Sequence, residues 1–232
     1  MSQTQDFAPV RFSTDLMPRP ERLPFWREEF GRHLVGIDVE PLSDDAFEAE
    51  AIVRKLPGLR AVSFISAPAH NERSGSLIAD GDDGVALLVN MGGPMTITHR
   101  GREMSLDNGD ATLLLHAEPS RVVHSQVNYQ GLIVARSALA SLVTNVEDVV
   151  SRPIRNANPA VRLLVKYLEV VREDAALGGP ELHHLIATHV HDLLAAIIGP
   201  HRDGAAIAGF LDRRIDVARE GGFGVCRAGT GQ

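Results

Sequence analysis

The sequence predicts an α+β fold, in which an antiparallel β-barrel or sandwich is followed by an α-helical segment. Between about Phe47 and Val134, apolar and polar residues alternate with a period of two, as they do in half-buried strands. Turn signals separate these stretches at a spacing of roughly 8–12 residues, which is typical of a sandwich or barrel and not of a parallel α/β sheet. After Ser137 the apolar residues recur at helical spacing instead.

The N-terminal region is predicted to be a flexible segment followed by a helix. Residues 1–18 are polar and irregular. Pro20 suits the first turn of a helix, because its missing N–H costs nothing there. A helix is therefore predicted from about Pro20 to Leu34. Its apolar stripe recurs at three- and four-residue steps through Leu23, Trp26, Phe30 and Leu34.

The β region begins with an alternating stretch in which Phe47, Ala49, Ala51 and Val53 are apolar and Arg54 is among the solvent-facing polar residues. Arg100-Gly101-Arg102 is predicted to be a tight turn. Asn108-Gly109 is a strong β-hairpin signal, because both residues tolerate a positive φ. Strands are predicted over Phe47–Val53, Leu59–Ile65, Val85–Met91, Met95–His99, Glu103–Leu106, Ala111–Leu115, Val122–Val127 and Gly131–Ala135.

The helical segment begins with a short helix over Ala138–Val143, which Ser137 can cap. Asn158-Pro159 starts a longer helix that runs to about Leu177, and Pro180 opens another that ends at Gly199-Pro200. A further helix is predicted over Gly204–Arg219, followed by a flexible glycine-rich tail, Gly221–Gln232. The predicted divisions are a flexible N-terminus (1–18), a β domain with its N-terminal helix (19–150), a helical segment (151–200), and a linker with a flexible tail (201–232).

Composition restricts the classes of function. The chain has 232 residues, a single cysteine and a net charge of -7, and its pI is about 5.8. A domain that neutralises nucleic-acid phosphates usually carries a basic face, so this balance argues mildly against nucleic-acid contact. The N-terminus lacks the apolar stretch of a signal peptide, and no apolar run is long enough to span a bilayer. A cytoplasmic protein without membrane contact is predicted.

No motif indicates catalysis, a metal or another cofactor. The sequence contains no GxSxG, GxxxxGK[ST] or GxGxxG motif at a suitable junction, and Cys226 lies in the glycine-rich tail. His183, His184, His189 and His191 crowd one helix, but their spacings do not favour chelation, and they are interpreted as solvent- or interface-facing. Along the strands, the histidines that stand alone are His99, His116 and His124. Asp80, Asp82 and Asp83 are interpreted as a solvated turn, because a calcium loop needs a longer ligand series.

The strand alternation predicts which side chains face the interior of the β region. Such an interior either packs solid or holds one small, largely apolar ligand, and both alternatives stay open. The candidate ligand-contacting residues are Ser63, Ile65, Leu87, Val89, Ile97, His99, Leu113 and Leu115.

Six pieces in order resemble the effector-binding domain of AraC-type transcription regulators, in the cupin-like subclass where helices follow the barrel. They are ERLPFWREEFGRHL, IDVEPL, LRAVSFISAPAHNERS, VALLVNMGGPMTITHRGREMSLDNGDATLLL, SRVVHSQVNYQGLIVARSALASL and HVHDLLAAIIG, within residues 18–200. The Gly101-Arg102 and Asn108-Gly109-Asp110 turns are the most diagnostic, although the family often has proline where this chain has Asn108.

The resemblance implies a metal-free, non-enzymatic sensor that binds a small-molecule effector and dimerises through the helices after the barrel. The dimer would be a homodimer or a mixed dimer with an intact paralogue. The alternative, that these helix faces pack on the β domain, stays open. The dimerisation residues implied are Leu164, Leu168, Val171, Leu182, Ile186 and Leu193.

The chain departs from the family at its C-terminal end. Complete regulators of this type continue into two helix-turn-helix motifs. Here Leu211–Glu220 resembles the lead-in helix, and the glycine-rich tail after it resembles nothing in the family. The sequence is therefore interpreted as a truncated or frameshifted regulator that makes no sequence-specific DNA contact. The other hypotheses are a cupin-like enzyme, such as an isomerase or metal-dependent dioxygenase, and a stand-alone binding protein.

Overall fold

Strands dominate the first two thirds of the chain and helices follow them. The structure is a computed structural model that describes residues 9–125, 127–140, 146–173 and 180–199. The strands are β1 (Val10–Ser13), β2 (Asp38–Pro41), β3 (Ala49–Leu56), β4 (Leu59–Ser66), β5 (Ala69–Arg73), β6 (Val85–Asn90), β7 (Met95–His99), β8 (Arg102–Leu106), β9 (Ala111–Leu115), β10 (Ser120–His124) and β11 (Val127–Val134). The helices are α1 (Arg19–Phe25), which continues as a π-helix over Trp26–Val35, α2 (Gly75–Ile78), α3 (Arg136–Ala140), α4 (Pro159–Glu173) and α5 (Pro180–Ile198), with a 3₁₀ turn at Val146–Asp148.

Two antiparallel sheets form a sandwich, which confirms the predicted α+β class and decides against a closed barrel. Sheet A has six strands in the order β1-β3-β4-β11-β6-β9, and sheet B has five in the order β2-β5-β10-β7-β8. At the edge of sheet A, Val150 and Ile154 form isolated bridges with Leu113 and Ala111. The segment that leads to α4 is thereby attached to β9.

The space between the sheets is filled by an aromatic cluster. Trp26 stacks on Phe30 with ring centroids 4.3 Å apart and on Phe64 at 5.4 Å, and Phe64 meets Tyr129 edge-on at 4.7 Å. Trp26 and Phe30 come from the helix predicted over Pro20–Leu34, and both are buried because the apolar stripe faces the sandwich. Burying side chains of this size contributes about 1.5–3 kcal/mol each.

The opposite face of sheet A is covered by helices. Apolar side chains of β6, β9 and β11 form one cluster with those of α4 and α5, including Leu164 and Val190, which are fully buried. Much of sheet A is therefore buried on both faces, and the described residues form three layers: sheet B, sheet A and helices.

The prediction of an irregular N-terminus is wrong for β1. Val10–Ser13 pairs with β3, and Thr14 closes the pair because its Oγ1 accepts a hydrogen bond from Ala49 N at 2.9 Å. Four residues are too few to show a period, so the strand left no pattern in the sequence. Residues 1–8 lie outside the described residues.

The two turns predicted from glycines have different roles. Arg100 and Gly101, with φ of 56° and 69°, join β7 to its partner β8, which confirms the tight turn. The hairpin predicted at Asn108-Gly109 is wrong, because this turn carries the chain from β8 in sheet B to β9 in sheet A. Gly109 has a φ of 82°, and its N–H donates to Asn90 O at 2.7 Å. The turn is therefore fixed by a contact with β6, not by a hairpin ladder.

The loop after α2 is solvent-accessible at Asp80, Asp82 and Asp83, as predicted for a solvated turn, and Asp80 and Asp82 also form ion pairs. Arg73, which is almost fully buried, donates to both carboxylate oxygens of Asp80 at 2.8 and 3.0 Å. Asp82 accepts from Arg60 at 3.0 Å and lies 3.3 Å from His116 Nδ1. These contacts fix the loop against one end of the sandwich.

Several predictions fall on residues that the structure does not describe. These are the end of the helix over Ala138–Val143, the break at Gly178-Gly179, and the whole of residues 201–232, which include Leu211–Glu220 and Cys226.

Candidate effector site

A small cleft of about 20 Å³ lies between sheet A and α4 and is partly open to solvent. Its floor comes from β3, β4 and β11, and its wall comes from the C-terminal half of α4. The lining residues are Ile52, Arg54, Ala61, Val62, Ser63, Gln130, Gly131, Leu168, Val171 and Arg172.

Strand register explains why these residues meet. Ile52 on β3 lies opposite Ser63 on β4, which in turn lies opposite Gln130 on β11. Arg54 follows Ile52 on the same face and lies opposite Ala61. Because side chains two residues apart share one face of a strand, the row presents polar groups to α4.

Arg54 is the residue that the sequence interpretation misplaced. The prediction that Arg54 lies on the solvent side of β3 is wrong, because the residue is 2% exposed. The missed signal is that Arg54 has the parity of Ile52 and Leu56, so it is a cation between two apolar residues on one face of the strand. Buried arginines are rare unless they have partners or a function.

Polar contacts organise the mouth of the cleft. Arg172 Nη1 donates to Ser63 Oγ at 3.0 Å, which joins the end of α4 to β4. Gln130 is buried, and its Oε1 has no hydrogen-bond partner among the described residues. A buried acceptor without a partner is costly, so Gln130 Oε1 can accept a further hydrogen bond at the cleft.

The predicted effector residues are divided between two spaces. On the helix-facing side of sheet A lie Leu87, Val89, Leu113 and Leu115, packed against α4 and α5 and not directed into the sandwich as predicted. Ser63 shares that side and lines the cleft, whereas Ile65 on the same strand is exposed. Ile97 and His99 lie between the sheets, as predicted. An effector-binding role for these residues stays a prediction.

His99 uses both ring nitrogens in structural contacts. Leu115 N donates to Nε2 at 3.3 Å, so Nε2 accepts and the proton lies on Nδ1, which is 2.7 Å from Ser151 Oγ. Burial lowers the pKa of His99 and favours this neutral form. His99 thus joins β7 to β9 and to the segment before α4, and these contacts occupy the nitrogens that an effector would need.

His124 and Asn71 form a second buried polar pair, inside the sandwich. Asn71 Nδ2 lies 3.1 Å from His124 Nε2, and both residues are almost fully buried. Burial, and to a smaller extent the nearby charge of His70, lower the pKa of His124 to about 4. The pair joins the neighbouring strands β5 and β10 of sheet B, and Asn71 Oδ1 and His124 Nδ1 have no hydrogen-bond partner among the described residues.

Most of the predicted dimerisation residues are buried inside the protein. Leu164, Leu168, Val171 and Ile186 belong to the cluster against sheet A, and Leu193 is partly buried beside it. Leu182 is exposed.

The histidines of α5 differ in exposure. His184 and His189 are exposed as predicted, but His183 is buried, because it shares the inward face of the helix with Ile186 and Val190. Within the described ranges, no three His, Cys, Asp or Glu side chains are grouped so that they could hold a metal ion. Of the helices in the described part of the chain, none is long and apolar enough to cross a membrane.

The architecture is two antiparallel sheets with a C-terminal helical layer. The sequence profile of the AraC-binding-like domain matches residues 26–199. The chain therefore belongs to the AraC-binding-like domain family, which confirms the resemblance found in the sequence.

Three solved structures are similar to this chain, one of them over most of its length. The crystal structure of the AraC-like transcriptional activator CuxR is similar over 93% of this chain and 81% of that chain, with a TM-score of 0.68 and 19% identity. An RmlC-like cupin from Shewanella frigidimarina NCIMB 400 covers 42% of this chain and 83% of its own at a TM-score of 0.32 and 11% identity. KdgF from Halomonas sp. covers 43% and 87% at a TM-score of 0.31 and 14% identity. No curated protein matches the chain significantly.

Proposed function

We propose that the chain is the ligand-sensing part of a transcription regulator, and that its small-molecule effector binds in the cleft between sheet A and α4. The proposal rests on Arg54 and Gln130, two polar side chains that are buried beneath α4 in a largely apolar interface between this helix and sheet A. Ligand sites in proteins combine mostly apolar walls with a few polar groups that fix orientation. Family membership supports the same role, and the activity proposed is binding without turnover.

The size of the cleft determines how an effector is held. A volume of about 20 Å³ has room for one or two waters, since one water needs roughly 10–15 Å³. One group of the effector therefore enters the cleft, while the rest lies along the outside of α4. Arg172, the partly exposed residue of the wall, lies where a ligand would contact the helix.

A thermal-shift screen against small metabolites tests this function. A ligand at about 100 times its dissociation constant adds about 2.7 kcal/mol to the free energy of unfolding. Ser63→Leu fills the cleft and should abolish the shift, whereas Ser105→Leu, an exposed serine on β8, should retain it. A ligand that stabilises both variants equally binds elsewhere and contradicts the proposed site.

We further propose that the protein forms a homodimer through an exposed apolar patch on α4 and α5. The patch, here called the α4–α5 surface, consists of Leu163, Val170, Leu182 and Leu185, each more than a third exposed. Tyr167 and His189 join the two helices across it, with 3.0 Å between Oη and Nδ1. Beside this surface the Lys166 ammonium pairs with the Glu169 carboxylate at 3.0 Å, and the pair has no net charge. A second copy of the chain can therefore meet the surface without like-charge repulsion.

Sedimentation equilibrium of the full chain tests the dimer. Leu163→Glu places a charge in a self-complementary contact and should raise the dimer dissociation constant by about tenfold or more. Leu16→Glu, a change at a residue that is 97% exposed, is the matched control and should leave the constant unchanged. Equal association of the two variants would rule out this surface.

A further inference from the structure

A buried hydrogen-bond acceptor in the cleft is available to a ligand. Gln130 is 6% exposed and lines the cleft, and its Oε1 has no hydrogen-bond partner among the described residues. The oxygen of a side-chain amide accepts hydrogen bonds and cannot donate them. A ligand group that binds to Oε1 must therefore carry a proton to donate.

A hydrogen-bond donor lies beside this acceptor. Ser63 on β4 is directly opposite Gln130 on β11, and cross-strand neighbours of this kind have Cβ atoms about 4.5–5.5 Å apart. Ser63 Oγ accepts a hydrogen bond from Arg172 Nη1 at 3.0 Å, so its own proton can be donated to another group. The two side chains together match a group that donates to Gln130 and accepts from Ser63.

The chemistry of the lining favours an uncharged ligand group. Arg54 and Arg172 already take part in interactions of their own, so neither guanidinium needs an anion from a ligand. A carboxylate would place a second acceptor against Gln130 Oε1. An ammonium would lose its hydration in a cleft whose described lining residues include no carboxylate to compensate the charge.

The size of the cleft selects among the uncharged groups. A volume of about 20 Å³ holds one or two atoms of the size of a water. A hydroxyl is a single such atom that both donates and accepts, whereas a carboxamide needs two polar atoms and the carbon between them. The carbon that bears the hydroxyl would contact the apolar lining residues, among them Ile52, Leu168 and Val171.

We propose that a neutral hydroxyl group of the effector binds between Gln130 and Ser63, where it donates to Gln130 Oε1 and accepts from Ser63 Oγ. This inference rests on the proposed effector-binding function and adds the chemical class of the effector, an uncharged hydroxyl compound. Arg172 is a positioning residue, because its hydrogen bond to Ser63 Oγ turns the serine proton toward other acceptors.

Amide NMR titrations of the full chain with four fragment probes test the proposal. Benzyl alcohol and anisole are isomers, but only the alcohol can donate a hydrogen bond, and benzylammonium and benzoate carry the same ring with a positive or a negative group. Gln130→Met removes the acceptor at nearly constant side-chain length. Ser63→Ala removes the donor, and Ser105→Ala makes the same change at an exposed serine on β8. Urea unfolding without probes establishes that the variants are folded.

The wild type and Ser105→Ala should bind benzyl alcohol about fivefold more tightly than anisole, as expected for one net hydrogen bond. Both charged probes should bind more weakly than the alcohol. In Gln130→Met the dissociation constant of benzyl alcohol should rise by about fivefold, whereas that of anisole should stay the same, because an ether has no proton to donate. Ser63→Ala should also weaken the binding of the alcohol.

Three results would overturn the proposal: equal affinities of the wild type for benzyl alcohol and anisole, tighter binding of a charged probe than of the alcohol, or an unchanged affinity of Gln130→Met for the alcohol. If a metabolite without a hydroxyl stabilises the wild type and Ser63→Leu abolishes that effect, the cleft is an effector site but the hydroxyl class is wrong. If neither probes nor metabolites bind the wild type, both the class and the proposed function fail.

Discussion

Protonation of His124 should make the protein markedly less stable in mild acid. Its side chain is 1% exposed on β10, and burial lowers its pKa from 6.5 to about 4. Between these pH values the unfolded chain binds a proton that the folded chain excludes, so the free energy of unfolding falls as the pH falls. The stability is fully present above the unfolded pKa and is lost as the pH approaches the folded pKa.

The magnitude follows from the two pKa values. One pKa unit corresponds to about 1.4 kcal/mol, so a decrease from pH 7 to pH 5 removes about 2 kcal/mol through His124 alone. Most carboxylates stay ionised in the folded and the unfolded chain over this range, so the histidines account for most of the change in the free energy of unfolding. Burial also lowers the pKa of His99 and of His191, which add to the loss with the same sign.

Urea unfolding at pH 7, 6 and 5 measures the effect. His124→Gln removes the titrating group, so its loss of stability between pH 7 and pH 5 should be smaller than that of the wild type by about 2 kcal/mol. His33→Gln removes an exposed histidine and should retain the full loss. Equal pH dependence in the two variants would refute the assignment to His124.

Two further substitutions test contacts that hold the layers together, each by urea unfolding at pH 7. Asp80→Asn removes the counter-charge of the buried Arg73 and should lower the free energy of unfolding by about 2 kcal/mol. This cost is smaller than for a fully buried ion pair because the Asp80 side chain is 45% exposed. Asp83→Asn, at an exposed residue of the same loop, should cost far less, and equal losses would contradict the stabilising role of the Arg73–Asp80 pair. Leu164→Ala should cost about 3 kcal/mol by opening a cavity between α4 and sheet A. Leu16→Ala, at a residue that is 97% exposed, should change stability by less than about 0.5 kcal/mol, and similar costs of the two substitutions would disprove the packing.

Local sequence patterns predicted several strands closely. The predicted bounds agree with β4 to within a residue and with β7 and β9 at both ends. The strand β5 was missed because Asn71 and Arg73 occupy buried positions that an apolar residue usually fills. Their burial depends on His124 and Asp80, partners that lie elsewhere in the sequence.

The candidate site was harder to predict, because sheet A is buried on both sides. All five residues of β9 are buried, and Leu87 and Leu88 on β6 are both buried apolar residues that face opposite layers. The alternation of residue types therefore does not indicate which face of sheet A meets the helices. A shift of the strand register by one residue exchanges the side chains that face the helices with those that face sheet B. Arg54 could be assigned correctly only once the position of α4 was known.

The pairing of β4 with β11 at the centre of sheet A has a consequence for how the chain folds. Ser63 pairs with Gln130, so the central pair of the sheet cannot form until more than half of the chain is available. Sheets that pair strands distant in the sequence fold slowly. The entropy cost of closing the long loop between the strands must be met before the stabilising contacts form. A nascent chain that ends before Gly131 exposes an unpaired edge of β4 together with the aromatic side chains of the sandwich. Such an edge is a template for aggregation, so synthesis of β11 is the step that protects the first half of the protein.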